Sequence, residues 1–99
     1  ELNAHVSGVR IVYAPTKPAG SRLASVTMAD GRPLRDDATY TLVFSNFLLT
    51  GGDGLGLGTN ALKTEPLGMS DIDALIAHVR AQRQPLRIPF EPRIVAALP

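Results

Sequence analysis

The sequence predicts an α+β fold: a mostly antiparallel sheet with one main helix packed on one of its faces. Three observations carry that expectation. Segments rich in β-branched and aromatic residues lie at 8–13, 23–28 and 39–45. A single stretch, opening at Ser70, repeats apolar residues at helical spacing. Prolines, glycines and an Asp-Gly pair punctuate the intervals. The 99 residues fit one domain, 1–99, with enough chain for one modest core.

Taken in order, Gly8 to Tyr13 (Gly-Val-Arg-Ile-Val-Tyr) predicts the first strand, and Pro15, Pro18 and Gly20 make 14–21 a loop. From Leu23 to Met28, Ala24, Val26 and Met28 share one face while Leu23, Ser25 and Thr27 share the other, as in a half-buried strand. Asp30-Gly31 suits a tight hairpin turn. The return strand is short and at an edge, because Pro33 has no N–H to give to a ladder. Thr39 to Ser45 is the most continuous β-favouring run, and Leu42, Val43 and Phe44 in a row predict burial on both faces, hence a central strand. Residues 59–68 read as loop. Ser70 is the expected N-cap of the helix, with Asp71 and Asp73 at its positive end. Ile72, Leu75, Ile76 and Val79 form its apolar stripe, Arg80 and Arg83 suit its C-terminal end, and Pro85 stops it. Arg93 to Leu98 is apolar enough for a last strand.

Composition excludes several kinds of chemistry. Without Cys there is no disulfide framework, zinc ribbon or thiol nucleophile. A formal net charge of +1 gives no electrostatic case for a nucleic acid polymer. No apolar run approaches the roughly 18 residues of a membrane span. The chain opens on Glu1, and its methionines are Met28 and Met69, so it is expected to be a processed product, a cloned domain or a fragment. Its first residues carry no signal-peptide pattern.

Gly51, Gly52, Gly54, Gly56 and Gly58 crowd one short run, which permits unusual backbone angles and close approach of a ligand. Known phosphate and metal motifs do not fit it. A P-loop needs a Lys that is missing here, and a Rossmann fingerprint lacks its last Gly. A calcium-binding nonapeptide would need Asp where Gly56 stands, so a calcium-stabilised β-module rests on the Gly-Gly-Asp-Gly segment alone. His5 and His78 have no second ligand at i+2 or i+4, and both read as surface residues. No Gly-x-Ser-x-Gly nucleophile elbow occurs. The residues thus leave no catalytic group but one candidate binding loop: Asn46 and Phe47 before the glycines, Asp53 among them. Each also has a plainer reading: Phe47 as a core aromatic, Asp53 as a turn former, Asn46 as a cap. Tyr13 and Tyr40 read as structural, and the basic tail (Arg80, Arg83, Arg87, Arg93) as a solvated surface.

Val6-Ser7-Gly8-Val9-Arg10, Tyr13, Lys17-Pro18-Ala19-Gly20-Ser21-Arg22 and Thr39-Tyr40 lead to Asn46-Phe47-Leu48-Leu49-Thr50-Gly51-Gly52-Asp53-Gly54. This order resembles the C-terminal domain of the 5′-nucleotidase family, which includes UDP-sugar hydrolases and 2′,3′-cyclic phosphodiesterases. The resemblance implies that the chain is the later part of that substrate-binding domain. It implies a nucleoside or nucleotide ligand, with the ring at Phe47 stacking on the base and the carboxylate at Asp53 binding ribose hydroxyls. Asn46, Gly51, Gly52 and Gly54 complete the implied substrate-binding set. It implies no cofactor in this chain. Two divalent metal ions would belong to an N-terminal metallophosphoesterase domain that performs the hydrolysis, so this chain alone is expected to be inactive. The family's location implies a periplasmic or secreted protein. The alternative is a non-catalytic interaction module that keeps the fold, in which an exposed sheet edge or apolar face recruits a partner or forms a homodimer.

Overall fold

The computed structural model describes residues 5–49, 58 and 60–97. Its elements run β1 (Val9–Tyr13), β2 (Leu23–Met28), α1 (Asn46–Leu49), α2 (Asp71–Ala81) and β3 (Ile94–Ala96). They fall into two compact units, Glu1–Tyr40 with Phe90–Pro99, and Thr41–Pro89. The first holds the sheet and the second the helices, so the α+β class stands.

The sheet has the order β2-β1-β3. β1 pairs antiparallel with β2, with Arg10 opposite Thr27 and Val12 opposite Ser25, and the register slips at Tyr13, which faces Leu23. The flanking bonds are short: Ala14 N–H donates to the Arg22 carbonyl at 2.7 Å and Ala29 N–H to the Gly8 carbonyl at 2.9 Å. β1 pairs parallel with β3, Ile11 opposite Ile94 and Tyr13 opposite Ala96. Ile11 N–H donates to the Arg93 carbonyl at 2.7 Å, and Ala97 N–H to the Tyr13 carbonyl at 2.7 Å. The mostly antiparallel sheet expected from sequence is therefore corrected to a mixed one. Parallel strands need a long crossover, and residues 14–93, which include β2 and α2, provide it.

The register sorts the side chains. Val9, Ile11, Tyr13, Val26, Met28 and Ile94 share one face, and Arg10, Val12, Ser25, Thr27 and Val95 the other. Among the described residues none is fully buried; Val9, Ile11, Val12, Tyr13, Val26, Met28, Ile94 and Val95 of the sheet are half-buried, while Leu23 at the start of β2 is 66% exposed.

The central position belongs to β1, not to 39–45. That segment is not a strand, and Leu42 and Val43 are 63% and 73% exposed. β-Propensity measures the fit of a side chain to a pleated, half-buried surface, and a neighbour must offer that surface. β1 already has a strand on each side, and the outer edge of β2 is taken by the hairpin return. There Met28 N–H donates to the Arg32 carbonyl at 2.7 Å and Leu34 N–H to the Val26 carbonyl at 3.0 Å. The predicted short return strand at Pro33 is a single bridge to Thr27.

The hairpin turn is held by its own side chains. Gly31 has φ of 90°, which only glycine adopts without strain. Asp30 accepts from the Arg32 backbone N–H at 3.1 Å and from the Arg32 Nε at 2.7 Å. The Arg32 backbone N–H, more than the guanidinium, holds the Asp30 carboxyl below its ordinary value. The second unit contains α2, whose N-cap matches expectation: Ser70 Oγ accepts from Asp73 N–H at 3.1 Å.

Candidate functional site

The candidate loop begins in one helical turn. Leu48 N–H donates to the Ser45 carbonyl at 3.1 Å, closing the turn over α1. A turn of 3.6 residues cannot point four side chains the same way. Here Leu48 and Leu49 are half-buried, while Asn46 and Phe47 are exposed. Asn46 opens the helix rather than preceding it as a cap. Phe47 is 61% exposed.

The chain returns to this turn at Gly58. Gly58 N–H donates to the Leu49 carbonyl at 3.2 Å. A Cβ on Gly58 would stand 2.6 Å from Leu49 Cδ1 and 2.7 Å from Leu49 O, closer than real carbon atoms approach. Glycine is required here by contact and not by an unusual φ. Gly58, nine residues after Leu49, is thereby clasped to the end of α1, which also carries the exposed Phe47. Gly51, Gly52, Asp53 and Gly54 lie outside the described residues.

The Leu49–Gly58 clasp is a feature sequence reasoning missed. The available signal was the position of Gly58 as the last glycine of the run, after apolar Leu57. The Glu91–Arg93 pair was missed as well. Arg93 is no free member of a basic tail: its guanidinium donates to Glu91 Oε2 at 2.9 Å and to the Val6 carbonyl at 3.3 Å. These residues line a cavity of about 410 Å³ with His5, Tyr13 and Ile94. A second cavity of about 360 Å³ lies among Met28, Arg32, Pro33, Arg35 and Tyr40, where Tyr40 OH accepts from Arg35 N–H at 3.0 Å. Among the described residues, neither cavity is lined by Asn46 or Phe47. His5 and His78 are exposed. Among the described residues no group of three or more His, Asp or Glu side chains stands close enough to hold a metal ion, and no helix is long and apolar enough to cross a membrane.

An exposed aromatic ring on a helical turn can take the face of a planar ligand. Such an aromatic platform is worth about 1–3 kcal/mol per base in nucleic acid complexes.

Comparison with known proteins gives concordant results. The model of the 5′-nucleotidase C-terminal domain family matches residues 2–64, a span that contains β1, β2, α1 and the whole glycine run. An apyrase of Tabanus yao is 34% identical over 96 residues, covering 90% of this chain and 17% of the apyrase. A cell wall protein of Listeria monocytogenes is 30% identical over 80 residues, covering 79% of this chain and 10% of its own length. A 5′-nucleotidase of Diplobatis ommata is 27% identical over 85 residues, covering 79% of this chain and 15% of its own. The chain thus spans less than a fifth of the length of each of these relatives. No solved structure matches it.

Proposed function

The chain belongs to the 5′-nucleotidase C-terminal domain family, and from that premise we propose that it is a substrate-recognition part of a 5′-nucleotidase-family phosphohydrolase. It is the later part of the domain that grips a nucleoside or nucleotide. The single observation that carries this reading is the exposed Phe47 ring, set on α1 beside the Leu49–Gly58 clasp and inside the matched span. In this role Phe47 stacks on the base. Asp53 accepts hydrogen bonds from ribose hydroxyls, since one carboxylate can serve two donors. Gly51, Gly52 and Gly54 let the main chain pass close under the sugar, and Asn46 borders the base.

Metal-dependent hydrolysis belongs in this proposal to an N-terminal metallophosphoesterase domain with two divalent ions. In this reading this chain's part is to bind and orient substrate. The relatives named apyrase and 5′-nucleotidase support a nucleotide substrate. The relative named a cell wall protein supports an exported location, periplasmic or secreted. The second reading is an interaction module that kept the fold without the chemistry, and the apolar side chains of Ile72, Leu75 and Ile76 exposed on α2 support it.

The test is an NMR titration of this chain with adenosine. Millimolar adenosine should shift the Phe47 ring resonances and the Gly51–Gly54 amides, and Phe47→Ala should weaken binding about tenfold. Unchanged spectra would end the binding role and leave the interaction module. The chain should hydrolyse no nucleotide with added divalent metal; turnover by a clean preparation would overturn the division of labour.

A further inference from the structure

The turn between β2 and its short return brings together, within the sheet unit alone, the two groups of a self-reaction. Asp30 supplies a carboxyl, and Gly31 supplies the main-chain nitrogen that follows it. In an Asp-Gly pair that nitrogen can attack the Asp side chain, because glycine has no Cβ to crowd the approach. We propose that Asp30-Gly31 is a site of spontaneous isoaspartate formation that the folded turn holds shut, with Arg32 as its lock.

The chemistry needs no co-reactant but water. The Gly31 nitrogen gives up its proton and bonds to Asp30 Cγ. The carboxyl loses one oxygen as water, and a five-membered succinimide ring results. Water then adds back at one of the two ring carbonyls. Opening at Cγ restores aspartate. Opening at the former main-chain carbonyl leaves the chain running through Cβ and Cγ, with the carboxylate on Cα. The product keeps its mass and gains one carbon in its backbone.

The fold restrains both reacting groups. Attack needs a nitrogen free of its proton, and Gly31 N–H donates to the Met28 carbonyl at 2.9 Å. Loss of water needs a protonated carboxyl with a free oxygen. Asp30 Oδ1 accepts from the Arg32 backbone N–H at 3.1 Å, and Oδ2 accepts from the Arg32 Nε at 2.7 Å. The backbone bond first, and then the guanidinium, hold the carboxyl below its ordinary value and so keep it ionised, a poor leaving group. To turn its nitrogen onto Cγ, Gly31 must leave the Met28 carbonyl, beside the bond from Met28 N–H to the Arg32 carbonyl at 2.7 Å. Reaction therefore proceeds from turn-open molecules, at a rate scaled by how often the turn opens. Once formed, isoaspartate lengthens a turn whose width is set by the Thr27–Pro33 bridge, and it takes the carboxylate from Arg32. The return at Pro33 then loses its register.

Ageing of the full 99-residue chain at neutral pH and physiological temperature, folded or in denaturant, tests this. Trypsin releases Asp30 in the peptide Leu23–Arg35, since Arg32 precedes a proline, and electron-transfer fragmentation distinguishes the two backbones. In denaturant Asp30-Gly31 should convert at a rate comparable to Asp53-Gly54, the same dipeptide in the peptide Asp36–Lys63. In the folded chain conversion at Asp30 should be slower by about tenfold or more. Arg32→Ala should accelerate it about twofold to fivefold, the range of one exposed ion pair, while β1 and β2 amides keep their protection from exchange. Arg32→Lys, a cation without the Nε donor, should fall between the two, and it replaces Arg32→Ala as the readout if alanine costs the sheet its protection. Equal rates in the folded and denatured chain would overturn the proposal, as would a denatured chain that forms no isoaspartate at Asp30. An Arg32 variant with an intact sheet and an unchanged rate would overturn the lock.

Discussion

The two compact units are ordered by different means. In the sheet unit, bonds join residues far apart in sequence: Ile11 to Arg93, Tyr13 to Ala97, and the Arg93 guanidinium to the Val6 carbonyl. In the unit of residues 41–89 the bonds are local. Ser45 closes on Leu48, Leu49 on Gly58, and Ser70 caps Asp73. A strand waits for a neighbour, whereas a helical turn carries its partner within its own next few residues. The contrast explains why Thr39–Ser45, richest in β-formers, is no strand, while Val9–Tyr13 holds the centre. It also ranks the substitutions that should disturb each unit.

The largest effect is expected at Ile11. Ile11→Pro removes the donor to Arg93 from a strand paired on both sides, at a cost of about 3 kcal/mol or more. Amide exchange should show β1 and β3 losing protection while α2 keeps its own. Equal loss in both would mean that the two units unfold together, and the contrast would fail.

Gly58→Ala comes next and acts on the clasp. Its methyl would strike Leu49 Cδ1 and the Leu49 carbonyl, an overpacking typically worth about 1–3 kcal/mol. The expected result is a weaker Phe47 response to adenosine in the NMR titration, with β1 and β2 shifts unchanged. Movement of the sheet resonances instead would place the effect outside the local unit.

Ser70→Ala should cost about 1 kcal/mol by leaving Asp73 N–H without its cap. Circular dichroism should report reduced α2 content. Ser70→Gly should cost only a few tenths of a kcal/mol at this position, so a large loss with glycine would point to something other than the cap.

The smallest effect concerns Asp30 and acidity. Its carboxyl is held below the ordinary value in the folded chain, chiefly by the Arg32 backbone N–H. The stabilisation is therefore present above the unfolded-state value of about 3.9, and it fades as pH falls through the lower folded-state value. The Arg32 amide shift should follow this titration, with a midpoint under the ordinary carboxylate range, and Asp30→Asn should remove it. A midpoint at or above the ordinary range would sever the turn from its hydrogen bonds.

Much of this was legible in the residues. Val9–Tyr13, Leu23–Met28, the Asp30-Gly31 turn and α2 with its Ser70 cap each follow from local rules of pattern, turn chemistry and capping. The family was legible too, because Asn46-Phe47 and the glycine run keep a fixed order that no tertiary contact is needed to see. Other features were not legible from local pattern. The parallel joining of Ile94–Ala96 to β1 depends on which edge is free after residues 14–93 have crossed. The outward position of Phe47 depends on which way one helical turn faces, and an aromatic before a turn reads equally well as core. The need for glycine at 58 arises only when Leu49 is brought against it.

By itself, then, the sequence determined β1, β2, the hairpin turn and α2, the lack of a thiol in this chain and the family to which the chain belongs. Those depend on residue type and near-neighbour spacing. The tertiary structure alone decided strand order, the direction of β3, the exposure of Phe47 and the clasp between Leu49 and Gly58. Strand order and the direction of β3 are relations between segments distant along the chain, while Phe47 and the clasp depend on which way one helical turn faces; a side chain's own preference decides neither.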